Sequence, residues 1–137
     1  MHDRTGEGAV DIDIPEVKSE LTATFYAYQE ALSANDVAAL DAFFLALPTS
    51  VRYGIRENLY GHAEIAAFRS ARSPAGLKSR LARTVVTTYG RSFGVGATLF
   101  YRDSAPGKVG RLTQTWIRTA NGWKIAAAHV SLIDDRQ

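Results

Sequence analysis

The runs VGRLTQTWIRT (109–119), ANG (120–122) and WKIAAAHVSL (123–132) decide the fold. Two segments rich in β-branched and aromatic residues flank Asn121-Gly122, a pair that tolerates the positive φ angles a tight hairpin needs. Working back along the chain, LARTVVTTY (81–89) and SFGVGATLFYR (92–102) have the same character. Gly90-Arg91 separates these two, and turn residues 103–107 lead on to 109. Four long strands joined by short turns predict an antiparallel meander. Neither face of it is plainly polar. Val85 and Val86, Leu99 and Phe100, Trp116 and Ile117 are apolar neighbours, and successive side chains point to opposite faces.

The first half keeps a different period. Residues 1–14 lack periodicity and read as a disordered tail, with 15–137 as a single domain. Pro15 suits the first turn of a helix, and Val17, Leu21, Phe25, Tyr28 and Leu32 follow at helical spacing. That helix is predicted to stop near Asn35. Asp36 caps a second, shorter helix through Val37, Leu40, Phe43 and Phe44, and Pro48 ends it. A strand is expected over Val51–Ile55 and a third helix from Gly61 to about Arg72, with Ile65 and Phe68 on one face. Helices first and a meander afterwards define an α+β domain. The helices cover one face of the sheet; covering the other predicts a homodimer.

The chain has 137 residues, one domain by length, and 46% of them are hydrophobic against 22% charged. No apolar run approaches the ~20 residues of a membrane span, and the polar start lacks a secretory core. The absence of cysteine excludes disulfides, Cys-ligated metals and thiol nucleophiles, and fits a cytoplasmic protein. The net charge of +2 hides a segregation. Twelve of sixteen Lys and Arg but only three of fourteen acids (Glu57, Glu64, Asp103) lie between Arg52 and Arg118, leaving that segment at +9 and the remainder at −7. A solvated basic sheet beside acidic helices explains this, and so does an anion site. Arginine outnumbers lysine 12 to 4, which favours the anion site, because its planar fork fits a carboxylate. With no Lys/Arg run and no nucleic-acid motif, nucleic acid is not expected as a partner.

The residues able to carry chemistry are few. Tyr28 lies on the apolar stripe of the first helix, either as a core tyrosine or as a hydrogen-bond donor to a pocket. Arg52 stands mid-strand with Val51 and Tyr53 facing the other way, so it either pairs outside the sheet or clamps a carboxylate inside. Arg69 and Arg72 share a helical face with Ile65, although helical arginines commonly reach solvent. Glu57 and Asn58 precede that helix, where such residues can serve only to structure the turn. His129 alternates with Ile125, Ala127 and Ser131 on the last strand, as a core residue or a proton carrier. Three dispersed histidines give no metal signal, and no cofactor is expected. Asp36 and Asp41 do not form an inward pair. Gly94-Val95-Gly96 lacks the strand–turn–helix setting of a nucleotide loop, and no nucleophile elbow is present.

Several stretches carry a resemblance: FYAYQEAL (25–32), VRYGIRENLYG (51–61), FRSAR (68–72), RTVVTTYG (83–90), and Gly122-Trp123-Lys124-Ile125 with Ala128-His129-Val130-Ser131. In their order they resemble the NTF2-like superfamily. Within it, the chain is similar to the AtzH-like family, which includes oxalurate catabolism proteins of the HpxZ type. The resemblance implies a cone of three helices on a curved, mostly antiparallel sheet around an internal pocket. It also implies a cofactor-independent hydrolase or decarboxylating role on small carboxylated ureas, beside an amidase of the same pathway. On that reading Tyr28 and Arg52 act on the substrate while Arg69, Arg72, His129 and Asn58 bind it. The superfamily also contains non-catalytic dimerisation modules and isomerases or cyclases of the ketosteroid-isomerase type, so fold alone does not choose.

Overall fold

The computed structural model describes residues 3–4 and 10–136. Residues 1, 2 and 5–9 of the expected tail lie outside the described residues. Helix α1 (Pro15–Ala34) starts with Pro at its first turn and buries Val17, Leu21, Phe25, Tyr28, Ala31 and Leu32. Its end is set by Asn35 in the left-handed conformation (φ 51°), whose N–H returns to Leu32 while that of Asp36 reaches Ala31. Asp36 then caps α2 (Val37–Phe43) by accepting from the Ala39 N–H at 3.2 Å, as its sequence position predicts. Helix α3 covers His62–Ala71 and buries only Ile65 and Arg69.

Eight strands form one sheet among the described residues: β1 (Asp3–Arg4), β2 (Asp11–Ile12), β3 (Val51–Tyr53), β4 (Asn58–Tyr60), β5 (Arg80–Tyr89), β6 (Phe93–Tyr101), β7 (Lys108–Thr119) and β8 (Gly122–Asp134). Their order is β1-β2-β5-β6-β7-β8-β3-β4. The meander β5–β8 is antiparallel, as expected, and β3 joins β8 in parallel.

Two segments depart from the sequence reading. Ile12 pairs with Tyr89, and Asp13 exchanges bonds with Thr88 through its N–H (3.0 Å) and Oδ1 (2.9 Å). The end of the expected tail is therefore a strand of the sheet, lying between β1 and β5. Two residues are too few to show a period, and the edge of β5 supplies their partners. Strand β3 ends at Tyr53 rather than Ile55, and the chain turns back into β4, where Asn58 opposes Tyr53.

The helices cover the inner face of the sheet. Glycines make this contact possible. A Cβ on Gly96 would lie 2.5 Å from Cδ1 of Phe25, and one on Gly94 would lie 2.3 Å from Leu21 Cδ2. Trp116, Ile125, Leu21 and Phe25 are fully buried in the resulting core. Among the described residues no helix is long and apolar enough to cross a membrane.

Candidate functional site

Beside this core the cone keeps a cavity of about 320 Å³. Its apolar wall includes Leu32, Phe68, Leu77, Phe100, Leu112 and Val130. Tyr28, Arg52, Glu57, Arg72 and Arg102 supply its shielded polar groups, and the exposed Arg56 lines it as well. Glu57 is the one carboxylate among the described lining residues.

Arg52 faces inward because Val51 and Tyr53, its neighbours on a three-residue strand, take the other face. It is buried, and its Nη1 donates to Glu57 Oε1 at 2.8 Å. The second oxygen of Glu57 accepts from the Arg56 N–H at 3.2 Å. Gly54 makes room for this pair, since a Cβ there would fall 1.6 Å from Glu57 Oε1 and 2.7 Å from Arg52 Nη1. The glycine is thus fixed by the ion pair rather than by backbone conformation.

Arg72 caps the C-terminal end of α3 and turns into the cavity, its guanidinium 5.4 Å from the Phe68 ring centre. Its Nε and one terminal nitrogen are buried and make no hydrogen bond. Burial, followed by the like charges of Arg69 and Arg52, pushes its pKa down to about 10. Arg102 follows β6 in phase with Thr98 and Phe100, and its guanidinium lies 4.7 Å from the Phe100 ring centre. Burial and then the charge of Arg52 also lower its pKa. An anion between these groups would satisfy the free N–H groups and relieve the repulsion.

The structure brings Tyr28, Arg52 and Arg72 together at the cavity, with Arg69 behind Tyr28. Arg69 does not line the cavity. It is fully buried, and its Nη2 donates to the Tyr28 hydroxyl. Tyr28 itself is buried at its ring by edge contacts with Phe43, Phe44 and Trp116. Asn58 is exposed on β4, in register with outward Tyr53, and does not reach the cavity.

His129 is also on the wrong face for a ligand inside the cone. Trp116 pairs with Ile125 but Thr115 with Ala127, so Ala126 is an extra residue in β8. Such a bulge shifts the alternation by one. Beyond it Ala128 and Val130 face inward, while His129 is exposed against the Tyr53 ring, 6.3 Å between centres.

Sequence reasoning missed Arg102 altogether and gave Glu57 no role beyond the turn. The signal for Arg102 was its even spacing from Phe100, but an arginine at a strand end beside a turn reads equally well as solvated.

The layered cone with an arginine-lined interior defines a protein of the NTF2-like, cystatin-like class. An NTF2-like protein of unknown function from Pseudomonas putida shares this fold at 15% identity, with a TM-score of 0.70 over 89% of this chain and 90% of its own. The chain belongs to the AtzH-like family, whose family model matches residues 10–136. Two solved structures are much more similar in sequence. One is a protein of unknown function from the DUF3225 family of Pectobacterium atrosepticum, 46% identical with a TM-score of 0.89, covering 96% of this chain and 100% of that one. The other is a cystatin-like fold protein of Burkholderia xenovorans, 42% identical with a TM-score of 0.88, covering 93% and 99%. No curated protein matches the chain.

Proposed function

We propose that the protein is a cofactor-independent enzyme acting on a compact nitrogen compound that carries two carboxylates, and that it releases one of them as carbon dioxide. The observation that carries this reading is the charge inside the cavity, where Arg52, Arg72 and Arg102, all at least half-buried, and the exposed Arg56 face Glu57 alone. With Arg56 exposed to solvent, the three shielded cations against one anion leave a deficit of two that a dianion would balance. The volume, near the lower end of ligand pockets, suits a molecule of dicarboxyurea size.

The apolar wall favours turning a carboxylate into a neutral gas, since a charge is costly there and carbon dioxide is not. In the step proposed, Tyr28 gives its phenolic proton to the carboxylated nitrogen as the carbon–nitrogen bond breaks. The bonding pair stays on nitrogen, carbon dioxide departs, and solvent returns a proton to the phenolate. Arg52 holds the second carboxylate in place. Hydrolysis has less support, because activating water needs a base and Glu57 is held by Arg52. Ser79 and Ser104 line the cavity, but no histidine does among the described residues.

Membership of the AtzH-like family supports a place in the catabolism of oxalurate-type or cyanuric-acid-type compounds beside an amidase. The lack of a nucleophile–base pair also favours a second reading, a non-catalytic dimeric module that binds the anion and assists that amidase. An isomerase would need an inward base free of partners, which Glu57 is not.

Assays that follow carbon dioxide and ammonia separately discriminate among these. Dicarboxyurea and oxalurate are offered with and without a partner amidase. Carbon dioxide without ammonia from the protein alone is the expected result, and prompt ammonia marks a hydrolase. No turnover under any pairing, with malonate still bound, makes the protein a binding module.

A further inference from the structure

Arg69 is the most completely buried cation among the described residues, at 0% exposure. It sits on α3 in helical phase with Ile65, which is equally sealed. Its guanidinium lies beside two adjoining rings, 5.6 Å from the centre of Tyr28 and 5.5 Å from that of Phe44. No salt bridge reaches it among the described residues. Its Nε and Nη1 are buried without a hydrogen-bond partner, and its one bond is donated by Nη2 to Tyr28. An arginine placed so, with a single phenol as its partner, is costly for the fold.

Guanidinium groups only donate. The Tyr28 oxygen is therefore the acceptor of this bond, and its own proton cannot point back at Arg69. Among the described residues that hydroxyl makes no other hydrogen bond. A phenol proton stays near the ring plane, where one side is taken by Arg69, so the remaining direction is the cavity that Tyr28 lines. We infer that Arg69 is a positioning residue: it touches no ligand, fixes the Tyr28 hydroxyl as a donor into the cavity, and keeps a positive charge ready beside the oxygen when the proton leaves. The apolar, aromatic surroundings explain why arginine stands here. A planar, weakly hydrated cation adjoins the Tyr28 and Phe44 rings while one N–H reaches the phenol, whereas an ammonium is more strongly hydrated and lacks the planar fork. This inference rests on the proposed proton donation by Tyr28 for its catalytic meaning, but the orientation of the hydroxyl stands independently of it.

The test reads the Tyr28 phenol directly. The tyrosine ring doublet in Raman spectra reports whether a phenol accepts or donates hydrogen bonds. Subtracting the Tyr28→Phe spectrum from that of the native protein isolates Tyr28 among the six tyrosines. The native difference spectrum should carry the signature of a phenol that accepts, and Arg69→Met should remove it. Malonate should bind Arg69→Met within about threefold of native, unlike Arg52→Gln. Turnover of dicarboxyurea should fall about 10²-fold in kcat with KM little changed, the size of a lost proton-transfer contribution, and Arg69→Lys should restore only part of it.

A native Tyr28 signature lacking acceptor character overturns the inference without any Arg69 variant, so a poorly folding Arg69→Met does not protect it. Malonate affinity lost in the Arg69 variants as in Arg52→Gln also overturns it, by making Arg69 a binding residue. If the spectra agree but the native protein turns over nothing, the orienting contact stands and the decarboxylase reading falls.

Discussion

Arg52 is 7% exposed and Arg69 is 0%, and the two are tolerated by different means. Arg52 has a carboxylate at 2.8 Å, whereas Arg69 has a phenol and two aromatic rings. Replacing Arg52 by Gln should abolish stabilisation by malonate, which at ~100 times the dissociation constant amounts to about 2.7 kcal/mol. Thermal shifts that persist in the variant refute the clamp; repeating them in high salt removes non-specific anion effects. Tyr28→Phe strips Arg69 of its single acceptor. We expect it to cost about 1–3 kcal/mol of stability, the penalty of an unsatisfied buried donor, and to lower turnover by about 10²–10⁴-fold. Full activity in this variant would move the proton donor elsewhere.

Arg72 gives a pH prediction whose sign follows from its environment. Its pKa falls from the ordinary arginine value to about 10, so the folded state disfavours the charged form. Between those values the unfolded chain binds the extra proton, and stability contributed by this group rises with pH. At neutral pH the full penalty is in force, and Arg72→Gln should raise the melting temperature of the ligand-free protein while weakening malonate binding. Malonate affinity should hold from pH 6 to 9 and decline as pH passes about 10, where ligand-free Arg72 loses its charge. An Arg72→Gln protein that is less stable and binds malonate normally would contradict this.

Among the elements, α1 was legible in detail because twenty residues give its stripe more than five turns to repeat. The strands of the meander were legible for the same reason. Strands β2 and β4 were not, since two or three residues carry no period and depend on a neighbouring strand. The Ala126 bulge was equally hidden, and it alone moved His129 from the expected face. The seat of α1 on the sheet rests on the glycines of β6. Gly96→Ala should destabilise the protein by about 1–3 kcal/mol through overpacking against Phe25, as measured by denaturant midpoint. A neutral result would mean that the helix shifts freely on the sheet.

At the scale of the whole molecule, the outer face of the sheet carries a row across its strands: Val85, Ala97, Thr113, His129 and Tyr53. Val85 and Phe93 are more than half exposed there. We expect this face to join two copies. Sedimentation at micromolar concentration should give a dimer, and Ala97→Arg, a charge in the middle of the row, should give a folded monomer. A native monomer ends the idea.

The sequence by itself determined the α+β order, the inward stripe of α1 with Tyr28 on it, and the concentration of arginine between residues 52 and 118. These are local properties, fixed by side-chain periodicity and composition. Only the tertiary structure decided which arginines meet. Arg52, Arg72 and Arg102 come from a short strand, a helix end and a strand end, and no spacing along the chain encodes their convergence. It likewise decided that Arg69 stops behind Tyr28 rather than reaching the cavity. That outcome depends on where α3 packs against α2, a matter of three-dimensional contact.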